Sequence, residues 1–456
     1  MRRSPVRSLI TALVVLLAAG ANPAAAVAEP QPADQRDCAL PAEGGFESAA
    51  PEEVDLDPAA VREALAYANT HMRTSVQIFR NNCRVGAGAL DPVTGGLPYN
   101  VWSSTKSVLS MLTGIAEGQG KLALDDPVGK YFPAGRGDAA HRAITLRQLL
   151  TQTSGLDEAI LSEGATTGLD PDICQEALAQ PLTHQPGTHF EYSQRTPDLL
   201  ACAVQRAVGT DLQDYAQRHL FDPLDIPRSS YFWLRDRSGQ TYGYAHLFIP
   251  PEQYAKLGLL MQNDGEWNGQ QVVPADYVRR VGEPTSTNGC YGMLFWTNRG
   301  EPCISTNLPS SQAVQHEMIP SAPRDLYAMV GALQQNNFII PSLNMTVSWT
   351  GAFGDTTTNP GGALSGNLAA SDLYHNFFRI LMKGVQDQDV PDPGPYTAPP
   401  AEFDFDPRNY ADPAVLLRDL APNSECNLVV CDGTVPTNGL AQNGEAIARA
   451  ILGSVP

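Results

Sequence analysis

A serine and a lysine stand three residues apart at the start of a predicted helix. Ser103 and Lys106 lie just before an apolar run at residues 109–115, and the spacing of that run predicts a helix that begins near Ser103. Residues i and i+3 share a helix face, so the two side chains are neighbours. A helix N-terminus suits a developing anion, and a lysine whose pKa is lowered by burial can accept a hydroxyl proton. The pair therefore predicts nucleophilic catalysis by Ser103, with an N-capping serine beside a solvated lysine as the alternative.

The first 28 residues have the features of a secretory signal peptide. Arg2, Arg3 and Arg7 precede an apolar run at residues 9–20, and small residues follow up to Ala28. The run is shorter than the ~20 residues that a membrane span needs, so we expect cleavage after Ala28 and no stable membrane insertion. The mature protein is then expected to be secreted or held at the cell envelope.

All eight cysteines lie beyond residue 28. An even number of cysteines in an exported chain predicts disulfide bonds. Two close pairs are candidates for local bridges and the other cysteines would complete the set: Cys290 with Cys303, Cys426 with Cys431, Cys38 with Cys83, and Cys174 with Cys202. The sequence leaves this connectivity open. The cysteines and the histidines at 141, 184, 189 and 246 lack metal-ligand spacing, so we expect no metal or other cofactor.

The composition restricts the partners of the protein. Its formal net charge is −19, and loss of the three signal-peptide arginines would make it −22. Such a surface argues against binding of nucleic acid or anionic lipid. We therefore expect a small-molecule or short peptide substrate, while the oligomeric state stays open.

Predicted strands lie at both ends of the chain and predicted helices in the middle. The strands fall at residues 75–79, 86–90, 290–296, 326–331, 338–340 and 345–350, and the helices at 103–118, 144–155, 197–208, 212–220, 251–262 and 372–383, with one more beginning at Asp57-Pro58. This order predicts an α/β (α+β) fold in which early and late segments build one antiparallel sheet, flanked by helices, with a helical insertion at about residues 130–240. We expect a loose segment at 29–50, the main domain at 51–389, and a Pro-rich linker with a small appendix at 390–456.

Four segments, at residues 102–108, 144–156, 186–194 and 251–267, occur in the order and spacing of landmarks of a known family. The second, ITLRQLLTQTSGL, is similar to that family's ITLRHLLTHTSGL. Over about residues 50–385 the chain resembles the class C β-lactamase-like serine hydrolases, and most closely their esterase and 6-aminohexanoate-oligomer hydrolase branch. The resemblance implies a β-lactamase/transpeptidase-like fold and a reaction that needs no cofactor.

The resemblance also implies roles for three residues. Ser103 matches the family's nucleophile, Lys106 the lysine that shares or relays its proton, and Tyr192 the tyrosine of a Tyr-x-Asn motif. A phenol titrates near pH ~10, so Tyr192 needs a nearby cation such as Lys106 to act as a base near neutrality. From the residues alone, a core aromatic with a satisfied hydroxyl is the alternative for Tyr192.

Two departures from the family pattern affect the expected substrate. Gln194 replaces the asparagine of the tyrosine motif and is expected to contact substrate with a longer reach. The Lys/His-Thr-Gly strand motif is absent, and residues 326–328, its best ungapped match, offer no cation for a carboxylate. A backbone N–H near Met329 is expected to complete an oxyanion hole with that of Ser103.

The sequence therefore predicts an exported serine hydrolase that cleaves an ester or amide through a Ser103 acyl-enzyme. A β-lactamase, a D-Ala-D-Ala carboxypeptidase or a D-aminopeptidase is one alternative. The other is an inactive cell-envelope binding module that kept the fold. The identity of the substrate stays open.

Overall fold

The computed structural model describes residues 35–41, 45–306, 311–351, 372–399 and 404–453. The predicted signal peptide and the predicted loop at 359–362 lie outside these residues. From Arg36 onward the described residues form one compact unit. Within it, no helix combines the length and the apolar composition that crossing a bilayer requires.

Among the described residues, a run of helices separates the early strands from the later ones. The helices are α1 Pro58–Thr70, α2 Asp91–Thr94, α3 Ser104–Gly118, α4 Ala139–Ala143, α5 Leu146–Leu150, α6 Ile160–Ala165, α7 Ile173–Ala177, α8 Arg195–Val208, α9 Leu212–Ala216, α10 Pro251–Gln262, α11 Ala275–Val281, α12 Asp372–Met382, α13 Arg408–Ala411, α14 Pro413–Leu420 and α15 Asn438–Gly453. The strands are β1 Ser75–Arg80, β2 Cys83–Ala87, β3 Tyr99–Asn100, β4 Phe232–Trp233, β5 Leu247–Ile249, β6 Glu266–Trp267, β7 Gln270–Gln271, β8 Trp296–Thr297, β9 Cys303–Ile304, β10 Ala313–Val314, β11 Tyr327–Gly331, β12 Gln335–Ile340 and β13 Met345–Thr350.

A six-stranded antiparallel sheet forms the centre of the fold, in the order β2-β1-β13-β12-β11-β8. The early hairpin β1–β2 joins the late strands through the pairing of β1 with β13, from Ser75 opposite Thr350 to Arg80 opposite Met345. Every residue of β1, β12 and β13 is buried, as expected for central strands that are covered on both faces. The predicted α+β fold, with one sheet from early and late segments, is confirmed.

Three predicted strands differ from the structure. The second strand of the early hairpin, Cys83–Ala87, and the strand Gln335–Ile340 each begin three residues earlier than predicted. The strand predicted at 290–296 is reduced to Trp296–Thr297, because Leu294 adopts a left-handed φ of 58° that ends an extended chain. A Cβ at Gly292 would also collide with the carbonyl oxygen of Val281, so only glycine permits the close approach of these two segments.

Several helices begin at N-cap residues that the sequence indicates, and they pack on the sheet or on one another. Asp57 caps α1 by accepting a hydrogen bond from the Ala59 N–H, and α1 packs against α12. Helix α10 lies on β12 and β13, while α3 lies on β11 and also contacts α8. Thr145 and Gln148 form the capping box of α5, so Thr145 is confirmed as an N-cap.

Four disulfide bonds join Cys38 to Cys83, Cys174 to Cys202, Cys290 to Cys303 and Cys426 to Cys431. These are the four pairs that the sequence suggested. The bridge between Cys174 and Cys202 connects α7 to α8. A set of disulfides that includes every cysteine indicates an oxidising compartment.

The C-terminal segment packs on the helical part of the unit. Helices α13 and α14 contact α6, and α15 contacts β4. Asp419 of α14 is fully buried and accepts a 2.9 Å hydrogen bond from Nε of Arg195 in α8. The segment predicted as an appendix therefore supplies a buried charge to the helices around α8, while the predicted boundary at 389/390 stays a prediction.

Candidate active site

Ser103 occupies the N-cap of α3, the buried helix beside the sheet. A tight turn delivers it: Trp102 has a left-handed φ of 47°, and its N–H donates a 2.9 Å hydrogen bond to Oδ1 of Asn100. The next hydroxyl, on Ser104, donates a 2.8 Å hydrogen bond to the carbonyl oxygen of Gln335 in β12. The start of the helix is thereby fixed to the sheet with Ser103 at its end.

Lys106 is buried, with an exposed fraction of 1%. Its Nζ lies 3.1 Å from Oγ of Ser103, 2.7 Å from Oε1 of Gln194 and 3.1 Å from the carbonyl oxygen of Tyr244. Burial lowers the pKa of Lys106 to about 7, against the opposing effect of nearby acidic side chains. At neutral pH a large fraction of this amine is therefore uncharged and able to accept a proton.

Tyr192 lies over the same pair. Its ring centroid is 4.6 Å from Nζ of Lys106, and its side chain is hydrogen-bonded to Ser103. Burial raises the pKa of Tyr192, although the Ser103 hydrogen bond opposes the shift. The phenol therefore stays protonated near neutrality, so its proton is available to be donated and Lys106 is the better acceptor.

Gln194 forms the N-cap of α8, two residues after Tyr192. Its Oε1 accepts the 2.7 Å hydrogen bond from Lys106, and its backbone N–H donates a 3.1 Å hydrogen bond to Oε2 of the buried Glu163. The longer side chain that replaces asparagine thus contacts the lysine directly.

The end of β11 passes beside the start of α3, next to Ser103. A Cβ on Gly331 would collide with the carbonyl oxygen of Val101 and lie 3.2 Å from the N of Ser104, so only glycine permits this approach. Met329 lies two residues earlier, fully buried and paired with Asn337. The residues that follow the glycine, Ala332 and Leu333, line the pocket at Ser103, whereas Met329 is not among the described residues that line it.

A pocket of about 270 Å³ opens onto Ser103. Its described walls are mainly apolar or aromatic, and none of the described lining residues is lysine or arginine. The lining consists of Trp102, Ser103, Ile160, Leu161, Gly164, Thr167, Tyr192, Gln194, Tyr244, Ala245, His246, Ala332 and Leu333. An uncharged acyl group fits such a wall better than a carboxylate does.

Two residues of this pocket, Tyr244 and His246, were missed by sequence reasoning. Nε2 of His246 lies 3.0 Å from the Tyr244 hydroxyl, and its Nδ1 lies 3.2 Å from Nδ2 of Asn100. Burial, together with the charge of Lys106, lowers the pKa of His246 to about 4, so the ring is neutral near pH 7. The aromatic segment around them gave no spacing that could identify them, since Tyr244 acts on Lys106 through its backbone carbonyl.

A buried charge cluster lies behind the site, at the start of α8. Arg195 is fully buried and forms ion pairs with four buried carboxylates: Asp170 at 2.8 Å, Glu176 at 3.1 Å, Asp198 at 2.9 Å and Asp419 at 2.9 Å. Glu163 is also buried nearby, and burial raises its pKa to about 8. One guanidinium is thus shared by several buried carboxyl groups. Some of these carboxyl groups must therefore be protonated, because a single positive charge cannot balance them all.

The three residues that the sequence proposed for catalysis, Ser103, Lys106 and Tyr192, meet at the mouth of this pocket. The sheet and the adjacent buried helix form the β-lactamase/transpeptidase-like fold of serine hydrolases. A model of the Beta-lactamase family matches residues 70–369, and the chain belongs to that family.

Individual relatives agree with this assignment. Protein flp of Staphylococcus aureus strain MW2 is 30% identical over 138 residues, which are 29% of this chain and 28% of flp. The match therefore spans less than a third of that relative's length.

Two solved structures share the fold. A Bacillus anthracis protein proposed to be a 6-aminohexanoate-dimer hydrolase has a TM-score of 0.54 at 14% identity, covering 75% of this chain and 87% of its own. A Bacteroides dorei protein proposed to be a β-lactamase has a TM-score of 0.53 at 17% identity, covering 72% of this chain and 99% of its own. At these identities the likeness concerns the fold alone.

Proposed function

We propose that the protein is an exported hydrolase that cleaves an ester or a neutral amide through an acyl-enzyme on Ser103. The observation that carries the proposal is the contact of 3.1 Å between Nζ of the buried Lys106 and Oγ of Ser103. A buried amine with a pKa of about 7 is a proton acceptor at neutral pH. Membership of a serine hydrolase family supports the same chemistry.

The hydrogen bonds of Lys106 support a specific direction of proton transfer. A neutral amine has two N–H donors and one lone pair. Gln194 Oε1 and the carbonyl oxygen of Tyr244 are acceptors only, so they take the two N–H groups. The lone pair then faces Ser103, whose hydroxyl donates to it.

The reaction follows from that geometry. Oγ of Ser103 forms a bond to the substrate carbonyl carbon while its proton passes to Lys106. The bond to the leaving group then breaks, and the leaving oxygen or nitrogen takes a proton from the phenol of Tyr192, which Lys106 reprotonates. Water, deprotonated by the same pair, attacks the acyl-enzyme and releases the acid and Ser103.

The oxyanion is assigned to two backbone N–H groups. One is that of Ser103, at the N-terminus of α3. The expectation placed the other near Met329, but the pocket lining and the close approach of Gly331 support Ala332 instead. We therefore assign the second donor to the Ala332 N–H.

The pocket supports the substrate class. Its described walls include Ile160, Leu161 and Leu333 and no lysine or arginine. A β-lactam or a C-terminal peptide presents a carboxylate, for which the described walls offer no lysine or arginine as an ion-pair partner. Esters and neutral amides with an apolar acyl group are therefore favoured over the β-lactamase and carboxypeptidase alternatives, and the disulfides support an exported protein.

Covalent labelling tests the proposal. The full chain is treated with a fluorophosphonate probe, and a panel of p-nitrophenyl esters, a D-amino-acid amide and a chromogenic cephalosporin is assayed. We expect an adduct on Ser103, ester turnover, and loss of both in Ser103→Ala and Lys106→Ala. Ser107→Ala is the matched control, since Ser107 lies on the same helix and donates a 2.6 Å hydrogen bond to the Leu294 carbonyl oxygen.

The outcomes separate the alternatives. An adduct on another residue, or labelling unchanged in Ser103→Ala, refutes the proposal. Hydrolysis of the cephalosporin without ester turnover favours a β-lactamase. No turnover of any substrate and no adduct in a folded protein favours the inactive binding module.

A further inference from the structure

Three metal-ligating side chains lie together outside the pocket at Ser103. His184, His189 and Glu191, here called the His184 cluster, each offer one ligand atom, and these atoms lie within 4.8 Å of one another. The two imidazole rings are stacked with centroids 4.0 Å apart. Nε2 of His184 lies 3.9 Å from Oε2 of Glu191.

A turn brings these residues together although their spacing predicts no metal site. Gly187 has a φ of +89° and its N–H donates a 2.7 Å hydrogen bond to the Thr153 carbonyl oxygen. The Thr188 N–H donates to the Gln185 carbonyl oxygen at 3.2 Å. The chain therefore reverses between the two histidines, and Glu191 follows on the returning segment.

The surroundings of the cluster carry oxygen donors. Oε1 of Glu191 accepts a 3.0 Å hydrogen bond from the Glu158 N–H, which fixes the carboxylate with Oε2 towards His184. The adjoining cavity of about 280 Å³ is also lined by Asp157, Thr183, Ser311, Asp404 and Asn409, and none of its described lining residues is lysine or arginine. Arg408, whose charge reaches Asp157, is paired with Asp406 at 2.6 Å.

We propose that His184, His189 and Glu191 bind a divalent transition-metal ion of the Zn²⁺ class, with Asp157 or water as the fourth ligand. Two imidazoles and a carboxylate are ligands that Zn²⁺ accepts, whereas Mg²⁺ and Ca²⁺ prefer oxygen alone. Zn–ligand bonds of ~2.0–2.1 Å place tetrahedral ligand atoms roughly 3.4 Å apart. Both histidines are exposed, so small side-chain rotations close the remaining distance.

The ion would connect three segments of the chain. It would join His184, at the start of the turn, to Glu191, the residue before Tyr192, and through Asp157 to the segment that carries Glu158. Binding to the folded state alone stabilises that state by mass action. The ion would therefore hold in place the segment that precedes Tyr192, and its binding does not depend on the proposed hydrolysis.

Metal binding by the full chain tests this site. The purified protein is freed of metal with a chelator and titrated with Zn²⁺, and separately with Co²⁺, whose visible absorption reports the coordination geometry of the bound ion. We expect one ion per chain and a rise in melting temperature with Zn²⁺. In His184→Ala and His189→Ala the affinity should fall at least about tenfold, because even outer partners of a metal ligand contribute that much.

A matched control separates this site from general histidine binding. His219 lies elsewhere in the chain, with Nδ1 3.3 Å from Nε2 of Gln119, and His219→Ala should bind Zn²⁺ as the wild type does. Equal affinity in the wild type and in the double variant His184→Ala/His189→Ala overturns the proposal. So does the absence of any bound ion after equilibration with Zn²⁺, or a melting temperature that rises equally in wild type and double variant.

Discussion

Oε1 of Gln194 lies 2.7 Å from Nζ of Lys106, so the residue that departs from the family's tyrosine motif contacts the lysine to which we assign the proton transfer. An amide oxygen orients the amine without adding a charge. A carboxylate in its place would hold the lysine protonated, whereas burial lowers its pKa to about 7. The neutral acceptor therefore keeps the lysine able to take the proton of Ser103.

Activity should rise with pH as Lys106 loses its proton. Below pH 7 the amine is protonated and cannot accept the proton of Ser103, and above it the neutral amine can, so kcat/KM should increase through an apparent pKa of about 7. Lys106→Arg, which stays charged, should lose at least about 10²-fold in kcat/KM at every pH. The pH profile of p-nitrophenyl ester hydrolysis measures both effects. A wild-type profile flat from pH 5 to 9 would contradict this assignment.

Gln194→Glu should move that profile upward. The variant places a carboxylate where the amide oxygen now lies, and an opposite charge at this distance raises the pKa of an amine by about 1–3 units. The acid limb of the kcat/KM profile should shift to higher pH by the same amount. The variant should therefore lose more activity at neutral pH than at high pH, where its lysine is again uncharged. Gln205→Glu is the control, because Gln205 bonds Gln240 at 2.8 Å and not the lysine. An unmoved limb in Gln194→Glu would show that the contact does not set the pKa of Lys106.

The meeting of Ser103, Lys106 and Tyr192 was predictable because their signals are local. The spacing of Ser103 and Lys106 fixes their shared helix face, and Tyr192 belongs to a short segment with a family pattern. Tyr244 could not be found in this way, since it acts through a carbonyl oxygen that any residue possesses. The His184 cluster is formed by a turn, so the spacing of its residues in the sequence did not predict it either.

The position of the oxyanion N–H on β11 stays a prediction. An ungapped match puts it near Met329, whereas the close approach of Gly331 to Val101 supports the neighbouring Ala332. A glycine is informative there only once the neighbouring carbonyl is known. The positive φ of Leu294 was unpredictable for the same reason, since an apolar residue gives no turn signal.

Glu163→Gln should stabilise the protein at alkaline pH. Burial raises the pKa of Glu163 to about 8, above the value of ~4.3 expected in the unfolded chain. The folded state therefore holds this proton more tightly, and the wild type loses stability as pH rises from ~4.3 through 8. The glutamine variant lacks this loss, so its advantage over the wild type in free energy of unfolding should be larger at pH 8.5 than at pH 5, by up to about 4 kcal/mol.

Urea unfolding at the two pH values measures this difference. Glu63→Gln, at an exposed position of α1, is the control and should change the free energy of unfolding by the same small amount at both pH values. A Glu163→Gln advantage that is equal at pH 5 and pH 8.5 would mean that the buried carboxyl does not ionise in this range.

Arg195 should be the costliest single residue of the charge cluster to remove. It pairs with four fully buried carboxylates, one of them Asp419 from the C-terminal segment. Arg195→Met leaves these acids without their shared cation, which should lower the free energy of unfolding by about 3–5 kcal/mol at pH 7. Arg195→Lys should recover only part of that loss, because an ammonium cannot reproduce the planar guanidinium contacts.

The same substitution should loosen the C-terminal segment, because Asp419 loses the 2.9 Å hydrogen bond from Nε of Arg195. Limited proteolysis should then cleave Arg195→Met between residues 404 and 453 faster than the wild type. Arg147→Met is the control, since Arg147 pairs with the exposed Asp125 at 2.7 Å, and it should cost at most about 1 kcal/mol. If both arginine variants lost the same stability and were cleaved at the same rate, the cluster would contribute no more than a surface ion pair. The buried guanidinium would then not hold the C-terminal segment in place.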